Sequence, residues 1–419
     1  MKITVKPFYN FPRMELIALL MPCLIPIGLL VFSILGFHFT LHASSQKKRS
    51  ILFPFTVYFE VLSFATAHNF SGIHPDLVGL WGLCLTFNLL HISSLLFIER
   101  VPAPNSGVLK GSGSRWFSSI CTSYHFWSNP RLLPRSEIQE NSKSRRQPLS
   151  VFIFLRFAKL IFYFLLHSKI VPLVSKQLIG VIYMSDVTSR KSSLLRLVRP
   201  SRLTSREVVL RAYMAVSWIW ESFLVLDGAN AALGLIAVTT GADSPDDWPP
   251  LFGKLSHISR GLRSFWGRFW HPLAVRPYRN YGRLIADGIL SPLFRRGDRT
   301  RDSILTARMH GMITALIVFF LSGLSHMAVS WNLGMHDWLD VWWFQLNFAA
   351  CATETAVLAI LRGLAWRAGL VRELQEIENS WLGSLVGLSW VSMFFFWSVP
   401  LWRYERIYNS IEAAEQEMW

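Results

Sequence analysis

Charge is scarce in this 419-residue chain. Asp, Glu, Lys and Arg make up 16% of it, where an ordinary soluble domain carries about 25%. Acidic residues are scarcest, 26 against 42 Lys and Arg, which leaves a net charge of +16. On a polar chain such an excess points to nucleic acid. Here 52% of the residues are hydrophobic and 14% aromatic, with a mean hydropathy of +0.33. In that setting the same excess points to cytosol-facing loops of a membrane protein. A secreted scaffold, a disordered tail and a soluble DNA-binding domain are thereby excluded, and no nucleic-acid partner is expected. Cysteine is also rare. Cys23, Cys84, Cys121 and Cys351 stand singly with no C-x-x-C pair, so the spacing shows neither a zinc site nor a disulfide framework. The motifs G-x-x-x-x-G-K-[ST], G-x-S-x-G and H-E-x-x-H are absent, and with them the usual signatures of nucleotide hydrolysis, serine-hydrolase chemistry and zinc proteolysis. No repeat of fixed period is visible.

What the chain does have is long apolar runs. About 20 such residues cross a hydrocarbon core as a helix. Candidate spans are 14–41, 51–68, 76–98, 151–167, 170–184, 207–226, 228–241, 304–331, 341–361 and 382–402. The first is too long for a cleaved signal sequence and lacks an A-x-A site. Because several are short or broken, the expected fold is an all-α, multi-pass transmembrane protein of about seven to ten spans. Arg156, Lys159 and Glu221 fall inside spans, where such charges snorkel or line a cavity.

Basic residues cluster between the spans. Residues 99–150 hold eight Lys/Arg against three acids, 186–206 hold six against Asp186, and 254–310 hold twelve against three. The connections 69–76, 242–250 and 332–340 are acidic or nearly neutral. The positive-inside rule assigns all three basic segments to the cytosol. The expected organisation is N-terminal membrane helices over 1–98, a basic and partly flexible cytosolic loop over 99–150, central membrane helices over 151–253, a region over 254–403 that carries the motifs described next and a tail over 404–419.

Two stretches carry candidate chemistry. The first runs from Arg260 to Pro272. As a helix it would stack Trp266 on Trp270 and Phe265 on Phe269 at i,i+4, giving an aromatic face flanked by Arg263 and Arg268. Pro272 ends the pattern, and Gly267 would leave space beside His271. An interfacial amphipathic helix is the physical reading, with an in-plane anchor whose His271 meets only headgroups as its bland form. The second stretch is Phe319–Ala328. His326 sits there among apolar residues behind Ser322, Gly323 and Ser325, roughly 26 Å along a helix from Met309. An ionisable side chain at that depth needs a polar cavity or a partner, and small neighbours make room for a ligand or for close packing. The competing reading is a neutral histidine hydrogen-bonded to a neighbouring helix.

Other features are weaker. His336 and Asp340 spell H-x-x-x-D without the companion motif that soluble acyltransferases carry. Asp243, Asp246 and Asp247 lack a second Asp-rich loop with which to hold Mg²⁺ and a diphosphate. His38, His42, His68, His74 and His91 crowd the first spans without metal-ligand spacing, so no metal site is expected.

Phe265-Trp-Gly-Arg-Phe-Trp-His271, followed about 55 residues later by Ser322-Gly-Leu-Ser-His326, resembles the wax-synthase-like branch of the membrane-bound O-acyltransferases (MBOAT). Within that branch it is most similar to fungal O-acetyltransferases of terpenoids and meroterpenoids. The matched part is roughly 255–365. The family's basic residue before Trp-His is displaced here, since Phe269 follows Arg268. The resemblance implies an acyl-CoA-dependent O-acetyltransferase, probed through these residues: His326 as the catalytic histidine, His271 as its polar partner, and Trp266, Arg268 and Trp270 at the acyl-CoA entrance. Arg263, Ser322 and Ser325 join them as substrate- or CoA-contacting candidates, and Arg276 as a further phosphate-attracting one. Acetyl-CoA is the implied co-substrate, with no bound cofactor; the implied acceptor is a hydrophobic terpenoid alcohol and the location an endoplasmic reticulum bilayer. A long-chain wax-ester synthase is the alternative within the family, and a transporter or a prenyl-transferring enzyme lies outside it.

Overall fold

A computed structural model describes residues 20–73, 75–103, 115–131, 147–192, 203–291 and 301–416. The described residues contain no β-strand. Their long helices, in chain order, are α1 (Leu24–Leu41), α2 (Gln46–Ala65), α3 (Pro75–Ser93), α4 (Arg115–Ser128), α5 (Leu149–Leu165), α6 (Ser205–Thr239), α7 (Val275–Leu290), α8 (Arg301–Asn332), α9 (Leu339–Ala368) and α10 (Trp381–Gln416). Local signals set their starts. Ser45 accepts the amide of Lys48 ahead of α2, and Thr204 accepts that of Glu207 ahead of α6, the N-cap bond that satisfies an otherwise orphaned donor.

Among the described residues, seven segments are long and apolar enough to cross a membrane: Met21–Leu41, Asp76–Ile98, Leu149–Leu178, Ser205–Thr239, Thr306–Asn332, Leu339–Ala368 and Trp381–Ala413. They account for the multi-pass expectation at its lower limit, for three reasons. The candidates 151–167 and 170–184 form one segment, joined by a π-turn at Leu166–Ile170. The candidates 207–226 and 228–241 form the single helix α6, unbroken through Gly228. The candidate 51–68 is helical as α2 but is not among the seven. Half of the loop expected over 99–150 lies outside the described residues and α4 takes up Arg115–Ser128 of the rest, and α10 runs unbroken past residue 404 to Gln416. Large apolar side chains remain on the outer faces, among them Phe154, Phe164, Trp342, Trp366 and Trp381. In water these would be a liability; in hydrocarbon they meet their own kind.

The chain divides into two compact units. One holds Leu133–Pro272 and Ala349–Trp419, the other Lys2–Leu132 and Leu273–Phe348. In the first unit, α5 and α10 both pack on α6. The charges that fall inside its spans are paired there. Lys159 Nζ and Tyr163 OH both donate to Asp227, at 2.8 and 2.6 Å. Arg403 reaches Glu221 at 2.8 Å, and Arg156 donates to the Trp248 carbonyl at 2.5 Å. Arg211, fully buried, pairs with Glu207, donates to the Lys191 carbonyl and lies 4.7 Å from the centre of the Trp397 ring.

Two consequences for sidedness follow within this unit. The Arg211–Lys191 bond holds the basic segment around residue 190 near the start of α6, while Trp248 packs against Gly234 near its end. As α6 does not double back, residues 186–192 and 242–250 flank opposite ends of one span. The chain from 248 onward then returns along the same helix, Phe252 touching Phe223 and Trp270 touching Trp218. The candidate crossing at 228–241 is thus the latter half of α6 and not a second span.

In the second unit, α1 packs on α2 and α7 on α8. Ser63 donates to the Pro26 carbonyl at 2.7 Å, and Ser33 to Glu60 at 3.2 Å, linking α1 to α2. Among the clustered histidines, His38 meets Ser123 at 2.8 Å, His42 meets Ser119 at 2.9 Å, and His91 meets the Phe126 carbonyl at 2.7 Å. His74 lies outside the described residues. No group of three or more potential metal ligands occurs among the described residues.

Candidate active site

The aromatic motif of the first unit is not a regular α-helix. One α-turn at Leu262–Ser264 passes into a π-turn at Phe265–Phe269, and Trp270 then leaves in extended geometry. The π-winding bonds Trp270 N to the Phe265 carbonyl at 2.8 Å; such one-turn π segments recur at functional sites. Phe265 and Phe269 are buried, with ring centres 5.4 Å apart. Trp270 stacks on Trp218 of α6 at 5.4 Å and 15°, and on Phe265 at 5.3 Å. Phe395 of α10 closes on Phe265 at 4.9 Å.

Aromatic burial against α6 and α10 thus sets the conformation of this turn. A helix lying flat would leave the rings of Phe265 and Phe269 half-wetted, whereas each aromatic side chain gains several kcal/mol by full burial. Gly253 permits part of this packing: its amide bonds the Phe269 carbonyl at 2.8 Å, and a β-carbon there would collide with the Arg268 carbonyl. His271 is half-buried, with its ring 5.8 Å from Phe252 and 5.6 Å from Trp270. Gly267 faces open space instead of relieving His271, since the π-turn breaks the i,i+4 relation between them. Arg263 and Arg268 are exposed beside the turn.

The amphipathic helix is the next one, α7. Pro277, Tyr278, Gly282, Ala286 and Leu290 are its buried face, and Arg279 is exposed. It docks on α8, where a β-carbon at Gly282 would lie 2.8 Å from the Thr314 carbonyl oxygen. Its outer residues are tied to the end of α3: Arg276 and Asn280 donate to Glu99 at 2.5 and 2.6 Å, and Tyr281 meets Ser93 at 2.7 Å. Arg276 is therefore engaged in an ion pair within the second unit.

His326 lies on α8, six residues before its end at Asn332 and so about 9 Å from it. It is half-buried, and its ring stacks on Phe344 of α9 at 5.0 Å and 28°. One turn earlier, Gly323 brings the two helices together, since a β-carbon there would lie 2.8 Å from Val341 Cα. Ser325 bonds Tyr278 OH at 2.6 Å and the Leu321 carbonyl at 3.0 Å. Burial pushes the Tyr278 phenol well above its ordinary pKa, with the Ser325 hydrogen bond acting the other way, so it stays protonated at neutral pH. Ser322 turns back onto the Val318 carbonyl at 2.9 Å.

The residues proposed from the sequence thus fall into two sets. Arg263, Trp266, Arg268, Trp270 and His271 share one turn of the first unit; Ser322, Ser325 and His326 share one helix of the second. Sequence reading passed over Trp218, Tyr278 and Glu354. The position of Trp218 in an ordinary apolar run held no sign that it would stack on the motif. Tyr278 lay in a basic segment, although its i,i+4 partners Gly282 and Ala286 already spelled a buried face. His336 is exposed while the buried Asp340 accepts from Ser330 at 2.6 Å, and Asp243 and Asp247 accept from Trp248 and Ser244. Neither weak motif assembles a site.

A family pattern covers both halves of this arrangement, matching from Trp248 to residue 346. Residues 248–346 match the pattern of the membrane bound O-acyl transferase family. Among curated proteins, the chain is similar to acetyltransferase atnC of Arthrinium sp, 35% identical over 133 residues, 31% of this chain and 27% of that protein. Acetyltransferase nanB of Aspergillus nanangensis is 29% identical over 209 residues, 49% of this chain and 45% of that one. Acetyltransferase eriL of Hericium erinaceus is more distant but longer in its match, 22% identical over 379 residues and 85% of each chain. The first two matches thus span about a quarter to a half of the length of those relatives. No solved structure matches the chain.

Proposed function

We propose that this chain is a multi-pass membrane O-acetyltransferase that moves acetyl from acetyl-CoA to a hydroxyl of a hydrophobic terpenoid or meroterpenoid. The observation that carries the reading is a segment of the O-acyl transferase family, 248–346, that includes both His271 and His326. The named acetyltransferases among the relatives favour a short acyl donor. The acceptor class follows from the resemblance to fungal terpenoid O-acetyltransferases, and the endoplasmic reticulum is the membrane that class implies.

An alcohol is a poor nucleophile until a base takes its proton, and imidazole titrates near neutral pH. His326 accepts the hydroxyl proton as the oxygen attacks the thioester carbonyl. The C–O bond forms, the C–S bond breaks, and the proton passes to the departing coenzyme A thiolate. No acyl-enzyme is needed. Phe344, stacked on His326, holds the ring plane, and Gly323 allows the close helix approach behind it. His271 orients the thioester or donates to its developing oxyanion. Exposed Arg263 and Arg268 attract the phosphates of coenzyme A, while the acceptor arrives through the lipid.

The purified protein, incubated with acetyl-CoA or palmitoyl-CoA and with a terpenoid or a fatty alcohol, tests this directly. Mass analysis should find the acetylated terpenoid. His326→Ala should lower turnover by about 100-fold or more in a protein that still purifies as a folded species. Full activity in that variant would overturn the mechanism. A palmitoyl ester of the fatty alcohol as main product would assign wax-ester synthesis instead.

A further inference from the structure

Glu354 sits in the second half of α9, inside an apolar span and beyond the end of the family segment. A carboxylate at that depth needs strong partners, and it has three N–H donors. Its Oε2 accepts the amide of Leu262 at 2.7 Å and the indole Nε1–H of Trp390 at 2.9 Å; Oε1 lies 3.4 Å from the amide of Arg263. Leu262 and Arg263 open the helical turn that carries Trp266, Trp270 and His271. The first amides of a helical turn have no partner within it, and a negative charge is favoured there. Two glycines let the strands of this contact approach. Gly261 adopts φ 97°, and a β-carbon on it would lie 2.8 Å from the Glu354 carboxylate. A β-carbon on Gly387 of α10 would collide with the Ser259 carbonyl.

We propose that Glu354 is a positioning residue: its carboxylate caps the motif turn from a neighbouring span and thereby fixes the orientation of Trp266, Trp270 and His271. It touches no reacting atom. Its effect on catalysis rests on the acetyl-transfer reading above, because a small misplacement of a bound donor lowers the chemical step more than it lowers binding. The capping itself is testable without activity.

Hydrogen exchange of the full-length protein in detergent micelles, read by mass spectrometry over 259–269, provides that test. The amides of Leu262 and Arg263 should exchange about tenfold faster or more in Glu354→Ala, as befits loss of hydrogen bonds to a charged acceptor. Glu354→Gln, which keeps one acceptor oxygen, should show a smaller increase. Trp390→Phe, which removes the third donor, should leave both amides protected. Protection over 205–239 should be unchanged in all three. Unaltered exchange at 262 and 263 in Glu354→Ala would overturn the proposal. So would a matching loss of protection across 205–239, which would make Glu354 a residue of general packing. In the acetyl-transfer assay, Glu354→Ala should lower kcat about tenfold with KM for acetyl-CoA within about twofold, and Glu354→Gln should recover part of it; a raised KM at unchanged kcat would overturn the catalytic side of the proposal. Should the wild-type chain transfer no acyl group at all, the acetyl-transfer reading falls, and the exchange data still decide whether Glu354 caps the turn.

Discussion

Arginines that look alike in the sequence have different surroundings. Arg263 and Arg268 flank the aromatic turn with exposed side chains, whereas Arg276 holds Glu99 at 2.5 Å beside Asn280. Their substitution should therefore separate two effects that a basic run alone would merge. Replacing Arg263 and Arg268 together with alanine should raise KM for acetyl-CoA severalfold with little change in kcat, and the difference should shrink at high salt as screening rises. Arg276→Ala should instead lower the melting temperature and leave KM unchanged. Steady-state kinetics beside thermal scans of the same preparations check both. The clustering of twelve Lys/Arg over 254–310 was plain in the sequence. Which of them stay exposed was not, because Glu99 is far away in the chain and reaches Arg276 only through folding. The same holds for Glu221 and Arg156, legible as intramembrane charges, whose partners Arg403 and the Trp248 carbonyl are tertiary.

Among the elements, periodicity located helices well and misjudged their continuity. The candidate spans divided 207–241 at Asp227, yet the chain continues there as one helix, with the carboxylate accepting hydrogen bonds from Lys159 and Tyr163. The motif stretch failed in the opposite direction. Its i,i+4 aromatics suggested a regular amphipathic helix, and the observed π-turn sets Trp270 against Phe265 and Trp218 instead. The π-turn depends on burial against α6 and α10, so a window of thirteen residues does not contain the information. Glycine positions along α8 provide a test at this scale. Gly323 lies against the α9 backbone, while a β-carbon at Gly311 meets nothing within 4 Å. Gly323→Val should destabilise the protein by about 1–3 kcal/mol through overpacking. Gly311→Ala, relieved only of backbone freedom, should stabilise it by about 0.5–1 kcal/mol. Thermal unfolding in detergent should show shifts of opposite sign.

For the molecule as a membrane protein, the unbroken α6 matters most. Its 35 residues extend about 52 Å, more than a hydrocarbon core of about 30 Å requires. Arg190 lies near its start and Asp246 near its end, both exposed. In a chain whose four native cysteines have been replaced, Arg190→Cys and Asp246→Cys should react with a membrane-impermeant maleimide from opposite faces of sealed vesicles. Labelling of both from one face would restore the hairpin that the sequence suggested and remove the single crossing.

Composition and hydropathy alone determined that this is a helical, multi-pass membrane chain, because a low-dielectric solvent admits few other ways to satisfy a backbone. Two short motifs, read in order, pointed to His271 and His326 and to an acyl-transfer family. Those are one-dimensional properties: solvent preference and local spacing. Tertiary structure alone decided that the aromatic turn packs back along α6, that Arg276 serves Glu99, that Tyr278 meets Ser325 and that Glu354 caps the motif from a different span. Each of these depends on desolvating a polar or aromatic group against a residue distant in sequence, and only the folded chain brings that partner within a few ångströms.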